Sequence, residues 1–360
     1  MNSGTNASRQ DSAGPTLSIA AIQMEANVAP TAERLARAER LVVDAAQAGA
    51  QLILLPECFN TGYAWADENH AWVETLSGTT ATWLAATAAW LDVHLAGSLM
   101  LLDGDECYNA LLLFAPDGRM WRYDKNYPYG WERGYFRPSR RQPNITVADT
   151  DLGKIGMLIC WDVGHLDLWQ AYVGQVDLLL IASCPVDAGG GIYHLPNGDH
   201  FTIDDMGSRV AVNSDAARLT FGEMIDQQAA WLGVPVIHAT GLGHIRTEIP
   251  LGRRALLGFA LAAPRLLKYL PQANGMEMSF DLVHECKILD ADGRIVARLA
   301  EEDGERYTLA EVRLAQSPPV PQAPQPPSLA PGIAYFLADT FLPAIAAAVY
   351  RRGQRRWRSN

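Results

Sequence analysis

The chain has 360 residues and is 49% hydrophobic, enough to bury a sizeable core as one large domain or two modest ones. Its 40 acidic against 29 basic side chains leave a formal charge of -11, which repels polyanions and excludes nucleic acid as an expected partner. The five cysteines, Cys58, Cys107, Cys160, Cys184 and Cys286, are odd in number, far apart and free of CxxC spacing. That pattern argues against a disulfide framework or a zinc site, and fits reduced thiols in a cytoplasmic protein.

In chain order, residues 1–16 hold no apolar run that could serve as a signal peptide and are rich in Ser, Asn and Gly, so a disordered tail is expected. A β-α-β opening follows: "LSIAAIQM" (17–24) reads as a strand, "TAERLARAERLVVDAAQAGA" (31–50) as a helix stopped by glycine, and "LILLP" as a second strand. Further strands are expected at 94–101, 110–115, 119–124, 154–159, 176–183 and 234–240. Helices are expected at 79–91 and over 205–232, and "CKILDADGRIVARL" reads as a hairpin turning at Asp292-Gly293. Near-continuous apolar strands imply sheets covered on both faces, so the whole from 17 to 315 is a layered α/β domain. Residues 316–332, "QSPPVPQAPQPPSLAPG", favour an extended proline-rich linker. The segment 333–360 is apolar up to Tyr350 and arginine-rich after it.

Three polar residues stand directly after apolar strands: Glu57 after "LILLP", Lys125 after "MWRYD" and Cys160 after "KIGMLI". Strand ends line the ligand crevice of open α/β sheets, so their recurrence there marks a candidate site, although a lone cysteine at a strand end is more often core. "ILLPECFNTGY" (53–63), "WRYDKNYPYGWERGYFRP" (121–138) and "GKIGMLICWD" (153–162) resemble, in order and spacing, the three motifs of the nitrilase superfamily of carbon-nitrogen hydrolases. The resemblance implies a four-layer α-β-β-α sandwich over 17–315, a Glu57, Lys125 and Cys160 triad, and no cofactor. It also implies a further glutamate, Glu132, placed like the additional glutamate of the amidase and carbamoylase branches, where it orients the lysine or the substrate amine. A surface pairing of Glu132 with Arg133 or Arg137 is the alternative.

The chemistry fits those roles. A thiol with pKa of about 8.5 is largely protonated at neutral pH and needs a base to attack a poor electrophile such as an amide or nitrile carbon. Glu57 can take that proton and return it to the leaving amine, Lys125 can stabilise thiolate and oxyanion, and the Trp161 backbone N–H can serve as a second oxyanion donor. The expected reaction hydrolyses an amide or N-carbamoyl compound through a thioacyl enzyme. A nitrilase, a thioacyl-dependent acyltransferase and a catalytically silent binding protein are alternatives, and "CWD" in place of the usual nitrilase "CWE" favours amides.

Aromatic residues crowd the motifs at Tyr63, Trp65, Tyr127, Tyr129, Trp131 and Trp161. Tyr63, Tyr129, Trp161 and Cys184, the last on the strand end expected to face Cys160, are the candidate substrate-binding residues; an apolar or aromatic acyl group follows if the rings line the pocket. Departures from the family pattern lie at "VGHLD", where Leu166 and Asp167 replace a Pro-Glu pair, at Ala239-Thr240, where an asparagine is missing, and in the insert 189–207. His194, Asp199, His200, Asp204 and Asp205 in that insert fit no standard metal spacing, and its Gly and Asn content reads as a surface loop. "GGG" at 189–191 reads as a hinge, and His165 as a surface residue at a helix start. The segment 333–358 is expected to pack on protein, as an arm over a dimer neighbour, with contact to a membrane surface as the alternative. A homodimer or larger homo-oligomer is expected by family analogy.

Overall fold

The structure, a computed structural model, describes residues 14–207 and 215–358. Residues 1–13 of the expected tail and 208–214 of the expected helix lie outside the described residues. The first half runs β1 (Thr16–Glu25), α1 (Thr31–Gln47), β2 (Leu52–Leu54), α2 (Thr79–Leu91), β3 (His94–Asp103), β4 (Glu106–Phe114) and β5 (Met120–Asp124). Next come β6 (Val147–Thr150), β7 (Gly153–Ile159), α3 (Leu166–Tyr172), β8 (Leu178–Ser183), β9 (Ile192–His194), β10 (His200–Thr202) and helix α4 over 216–232. The last third holds β11 (Val236–Leu242), β12 (His244–Glu248), α5 (Gly252–Ala262), β13 (Glu277–Asp281), β14 (Lys287–Leu289), β15 (Ile295–Arg298), β16 (Arg306–Arg313) and α6 (Gly332–Trp357).

Two half-sheets form the centre. One has the order β5-β4-β3-β2-β1-β16, the other β15-β14-β11-β8-β7-β6, and they join where Met24 and Glu25 at the end of β1 pair in parallel with Gly241 and Leu242 of β11. Side-chain alternation then divides each strand between two cores. Ile19 and Ala21 of β1 and Leu52 and Leu54 of β2 face Ile155, Met157 and Leu180 of the other half, while Ala20, Ile22 and Ile53 face α1 and α2. Leu35, Ala38, Val42 and Ala45 supply the buried stripe of α1 at helical spacing. Leu168 and Trp169 of α3 and Ile225 and Ala229 of α4 cover the second half. The result is the four-layer α-β-β-α sandwich. Truncating a fully buried side chain such as Ile181 to alanine would cost about 2–5 kcal/mol.

Three parts differ from the sequence expectation. The insert 189–207 is not a free surface loop: β9 and β10 form a hairpin that joins β13 and β12 in a four-stranded antiparallel sheet of order β10-β9-β13-β12. Of the helix expected over 205–232, Asp204–Met206 instead form a single tight turn closed by Gly207 at φ +97°, and 216–232 are helical as expected. The proline-rich segment is no free spacer but a strap laid along the domain. Gln228 Nε2 donates to the Pro326 carbonyl, Trp231 Nε1 to that of Ala323, and Gln325 Nε2 to that of Leu166.

The strap delivers α6 onto its own chain, over the turn Gly130–Gly134. Gly130 and Gly134 leave room there, since a Cβ on either would meet Leu342 at 2.9 Å or Val349 at 3.2 Å. Trp357 Nε1 donates to the His70 carbonyl, and the Tyr350 hydroxyl donates to Glu106. Arg352 and Arg358 of the basic end pair with Asp67 and Asp105. The helix is long and apolar enough to cross a membrane by length and composition, and 22% of its most apolar window is buried.

Candidate active site

The carboxyl ends of β2, β5, β7 and β8 converge, which brings Glu57, Lys125, Cys160 and Cys184 together. All four are buried. Glu57 Oε1 accepts hydrogen bonds from Lys125 Nζ at 2.8 Å and from Asn109 Nδ2 at 2.7 Å, and its Oε2 accepts from the backbone N–H of Cys184 at 2.7 Å. Lys125 Nζ also donates to Glu132 Oε2 at 2.7 Å. Glu132 in turn accepts from the Tyr63 hydroxyl at 2.7 Å and from the Tyr129 backbone N–H at 3.0 Å. Glu132 therefore belongs to the buried cluster and not to a surface pair with Arg133 or Arg137.

Cys160 begins a short turn, Cys160–Gly164, directly after β7 with φ +48°, in the left-handed region that a side chain other than glycine's adopts at a cost. Cys58, next to Glu57, has the same φ and anchors its N–H on Ser98 Oγ at 2.9 Å. Both turns thrust a reactive side chain off a strand end toward the same point. Asp162 ties the turn to the lysine loop: it accepts from the Tyr127 N–H at 2.8 Å, the Tyr123 hydroxyl at 2.7 Å and the Asn126 N–H at 3.3 Å. Asp162 is absent from the described lining of the cavity that opens on Cys160.

Burial sets the electrostatics. It pushes the Cys160 thiol well above its ordinary value, and the Glu57 carboxylate adds to that rise while Lys125 opposes it, so the resting thiol is protonated with its base alongside. Burial alone would discharge Lys125, but Glu132 and Glu57 outweigh it and hold the ammonium charged. Glu132 is raised, to about 7, mainly by burial, against the pull of Lys125.

A cavity of about 30 Å³ opens on Cys160 and is lined by Tyr63, Tyr129, Trp161 and Cys184 along with small side chains such as Ala216 and Ala334. It has room for one or two waters. Trp65, Tyr127 and Trp131 lie outside its described lining: Trp65 stacks on Phe280, and Tyr127 lies flat on His165 at 3.5 Å. His165 is thus a packed residue and not a surface one, with Nδ1 on the Trp161 carbonyl and Nε2 on Asp339. Asp339, the one charge of the apolar segment, also accepts from Trp161 Nε1 at 3.0 Å. A wide turn at Phe336–Phe341 swings it there just ahead of Pro343, which has no N–H for the Asp339 carbonyl. In the insert, His194 bonds Ser279 and Asp199 bonds Asn197, while Asp205 accepts from the Thr202 N–H.

Asn109, Ser98, Ala334 and Asp339 were not expected at the site. Asn109 and Ser98 carried one faint signal, a polar residue inside an otherwise apolar strand; Asp339 carried a similar one.

A family model described as carbon-nitrogen hydrolase matches residues 18–322. A nitrilase of Pyrococcus abyssi is 29% identical over 147 residues, 40% of this chain and 55% of the relative. An omega-amidase of Xenopus laevis is 29% identical over 157 residues, 41% of this chain and 56% of the relative. These alignments span little more than half the length of either relative. Among solved structures, Nit3 of Saccharomyces cerevisiae superposes with a TM-score of 0.59 at 19% identity, covering 84% of this chain and 91% of that one. An amidase from Nesterenkonia sp. superposes with a TM-score of 0.56 at 18% identity, again covering 84% and 91%. With most of its length matched by the family model and its sandwich shared with these structures, the chain belongs to the carbon-nitrogen hydrolase family.

Proposed function

We propose that the protein hydrolyses the carbon-nitrogen bond of an amide or N-carbamoyl compound through a thioacyl enzyme on Cys160. The observation that carries this reading is the buried Glu57–Lys125–Glu132 cluster beside a protonated thiol that lines a small cavity. Glu57 takes the Sγ proton as sulfur attacks the carbonyl carbon, and the tetrahedral oxyanion forms against the Lys125 ammonium and the Trp161 N–H. Collapse breaks the C–N bond, and the departing nitrogen takes the proton from Glu57, which leaves ammonia or an amine and a thioester. Water then attacks the thioester with Glu57 again accepting its proton. The thiolate leaves, recovers that proton, and the carboxylic acid is released.

Each group has a structural reason to be where it is. Asn109 and the Cys184 N–H hold the Glu57 carboxylate in one orientation, which a base with double duty requires. Glu132 positions Lys125 and keeps it charged. Tyr63, Tyr129, Trp161 and Cys184 are proposed to shape the acyl side of the cavity. Steady-state release of ammonia or amine from a panel of amides, N-carbamoyl amino acids and nitriles tests the reading. Turnover of an amide or carbamoyl compound, lost in Cys160→Ala, is expected; turnover of nitriles alone would move the assignment to a nitrilase.

A further inference from the structure

The cavity on Cys160 is too small for any substrate beyond the reacting group itself, so the rest of the molecule must extend past one of its walls. Tyr129 and Ala188 form one such wall, and both also line a second chamber of about 340 Å³. That chamber lies between α5, α6 and the β9–β10 hairpin, with Tyr193, Met206, Phe259, Phe336 and Phe341 among its walls and no charged side chain in its described lining. One of those elements, α6, lies beyond the residues that the family model matches. Gly258 lets the two helices close on each other, since a Cβ there would meet Phe341 at 2.4 Å. A concave, mostly apolar chamber of this size is the usual form of a small-molecule site. Its mouth carries Leu261 and Phe336, which are 84% and 51% exposed.

Resting on the hydrolase reading above, we propose that this chamber is an acyl-chain subsite and that the substrate is the amide of an unbranched, medium-length fatty acid. The amide sits on Cys160, the slim first methylenes pass between Tyr129 and Ala188, and the tail fills the chamber. A chamber of about 340 Å³ takes on the order of ten carbon atoms, scaled from the roughly 150 Å³ apolar cavity that accepts benzene. The tight cavity at the cysteine excludes branching next to the carbonyl. The uncharged lining excludes a tail that ends in a carboxylate, because a buried charge without a partner is strongly disfavoured.

The test is a chain-length series of unbranched primary amides, from propanamide to decanamide, with the full-length enzyme. Burial predicts that kcat/KM rises about fourfold per added methylene until the chamber fills. Ala262→Trp, at the exposed edge of the chamber, is expected to lower the octanamide-to-propanamide ratio by about tenfold or more, by displacing two or more methylenes. Trp90→Ser, an exposed aromatic on α2, leaves that ratio in place. A flat length profile, or a ratio that Ala262→Trp does not move, overturns the proposal while leaving the hydrolase reading intact. If no amide of any length is turned over, the hydrolase reading fails first. Calorimetry of octanamide on Cys160→Ala then decides the chamber alone: binding that Ala262→Trp abolishes supports it, and no binding overturns it.

Discussion

Replacing Glu132 with glutamine tests whether that residue acts on the lysine or merely fills space. The side chain keeps its shape, but the carboxylate that accepts from Lys125 Nζ at 2.7 Å, from the Tyr63 hydroxyl and from the Tyr129 N–H becomes a neutral amide whose NH2 end cannot accept. Lys125, fully buried, is left with Glu57 as its one anionic partner among its hydrogen bonds. Removing one partner of a buried ion pair costs about 3–5 kcal/mol of stability, and the surviving Glu57 contact holds the loss toward the lower figure. The catalytic loss is comparable to that of one oxyanion donor, about 10²–10³ in kcat/KM. Ammonia release under steady-state conditions, paired with thermal unfolding, reads both. The pH profile adds a readout that a filler would not move. As pH falls through about 7, wild-type Glu132 takes up a proton and releases its hold on Lys125, so activity declines on the acid side. The raised value also means that ionising Glu132 lowers folded-state stability as pH rises from 4.5 toward 7. In Glu132→Gln both effects of this group vanish. A folded variant that keeps kcat/KM within about threefold of wild type, with the same acid limb, refutes the assigned role.

Other substitutions separate backbone from side-chain roles. Cys184→Ala should keep kcat within a small factor, because the bond that fixes Glu57 comes from the backbone N–H, and steady-state kinetics checks it. Asn109→Ala removes a charge-assisted hydrogen bond to that same carboxylate and should lower kcat by about 10- to 100-fold, equivalent to roughly 1.5–3 kcal/mol. Asp339→Ala frees Trp161 Nε1 and His165 from the C-terminal helix, so hydrogen exchange in 332–345 should quicken while β1 and β3 are unchanged; identical exchange would show that apolar packing alone seats the helix.

The strands that carry the site were legible because each is a near-continuous apolar run covered on both faces, and the polar residue ending each run stands out against it. Glu57, Lys125 and Cys160 could be found that way. Glu132 was visible through its motif, but its partner Tyr63 lies 69 residues away, and nothing local fixes that pairing. The oxygens of Asp162 tie the lysine loop to the cysteine turn, a task set by tertiary geometry that its motif did not display. The β9–β10 hairpin was hidden because three-residue strands show no alternation and β13, the outer partner of β9, comes some 80 residues later. β16 was missed although it pairs along nearly all of β1, because its polar residues face outward on an edge strand. The C-terminal segment displayed its apolar character openly. Its docking on its own chain depends on Gly130 and Gly134 making room and on Asp339 finding Trp161 and His165, which composition does not encode.

The central claim is that Cys160 carries the acyl group. Intact-mass spectrometry of full-length protein, quenched in acid during turnover of an amide, tests it most directly. The account predicts a mass increase on the wild type equal to the acyl group less one hydrogen, mapped to the peptide holding Cys160 and absent from Cys160→Ala. An adduct that persists in Cys160→Ala, or amide turnover undiminished in that variant, would contradict it.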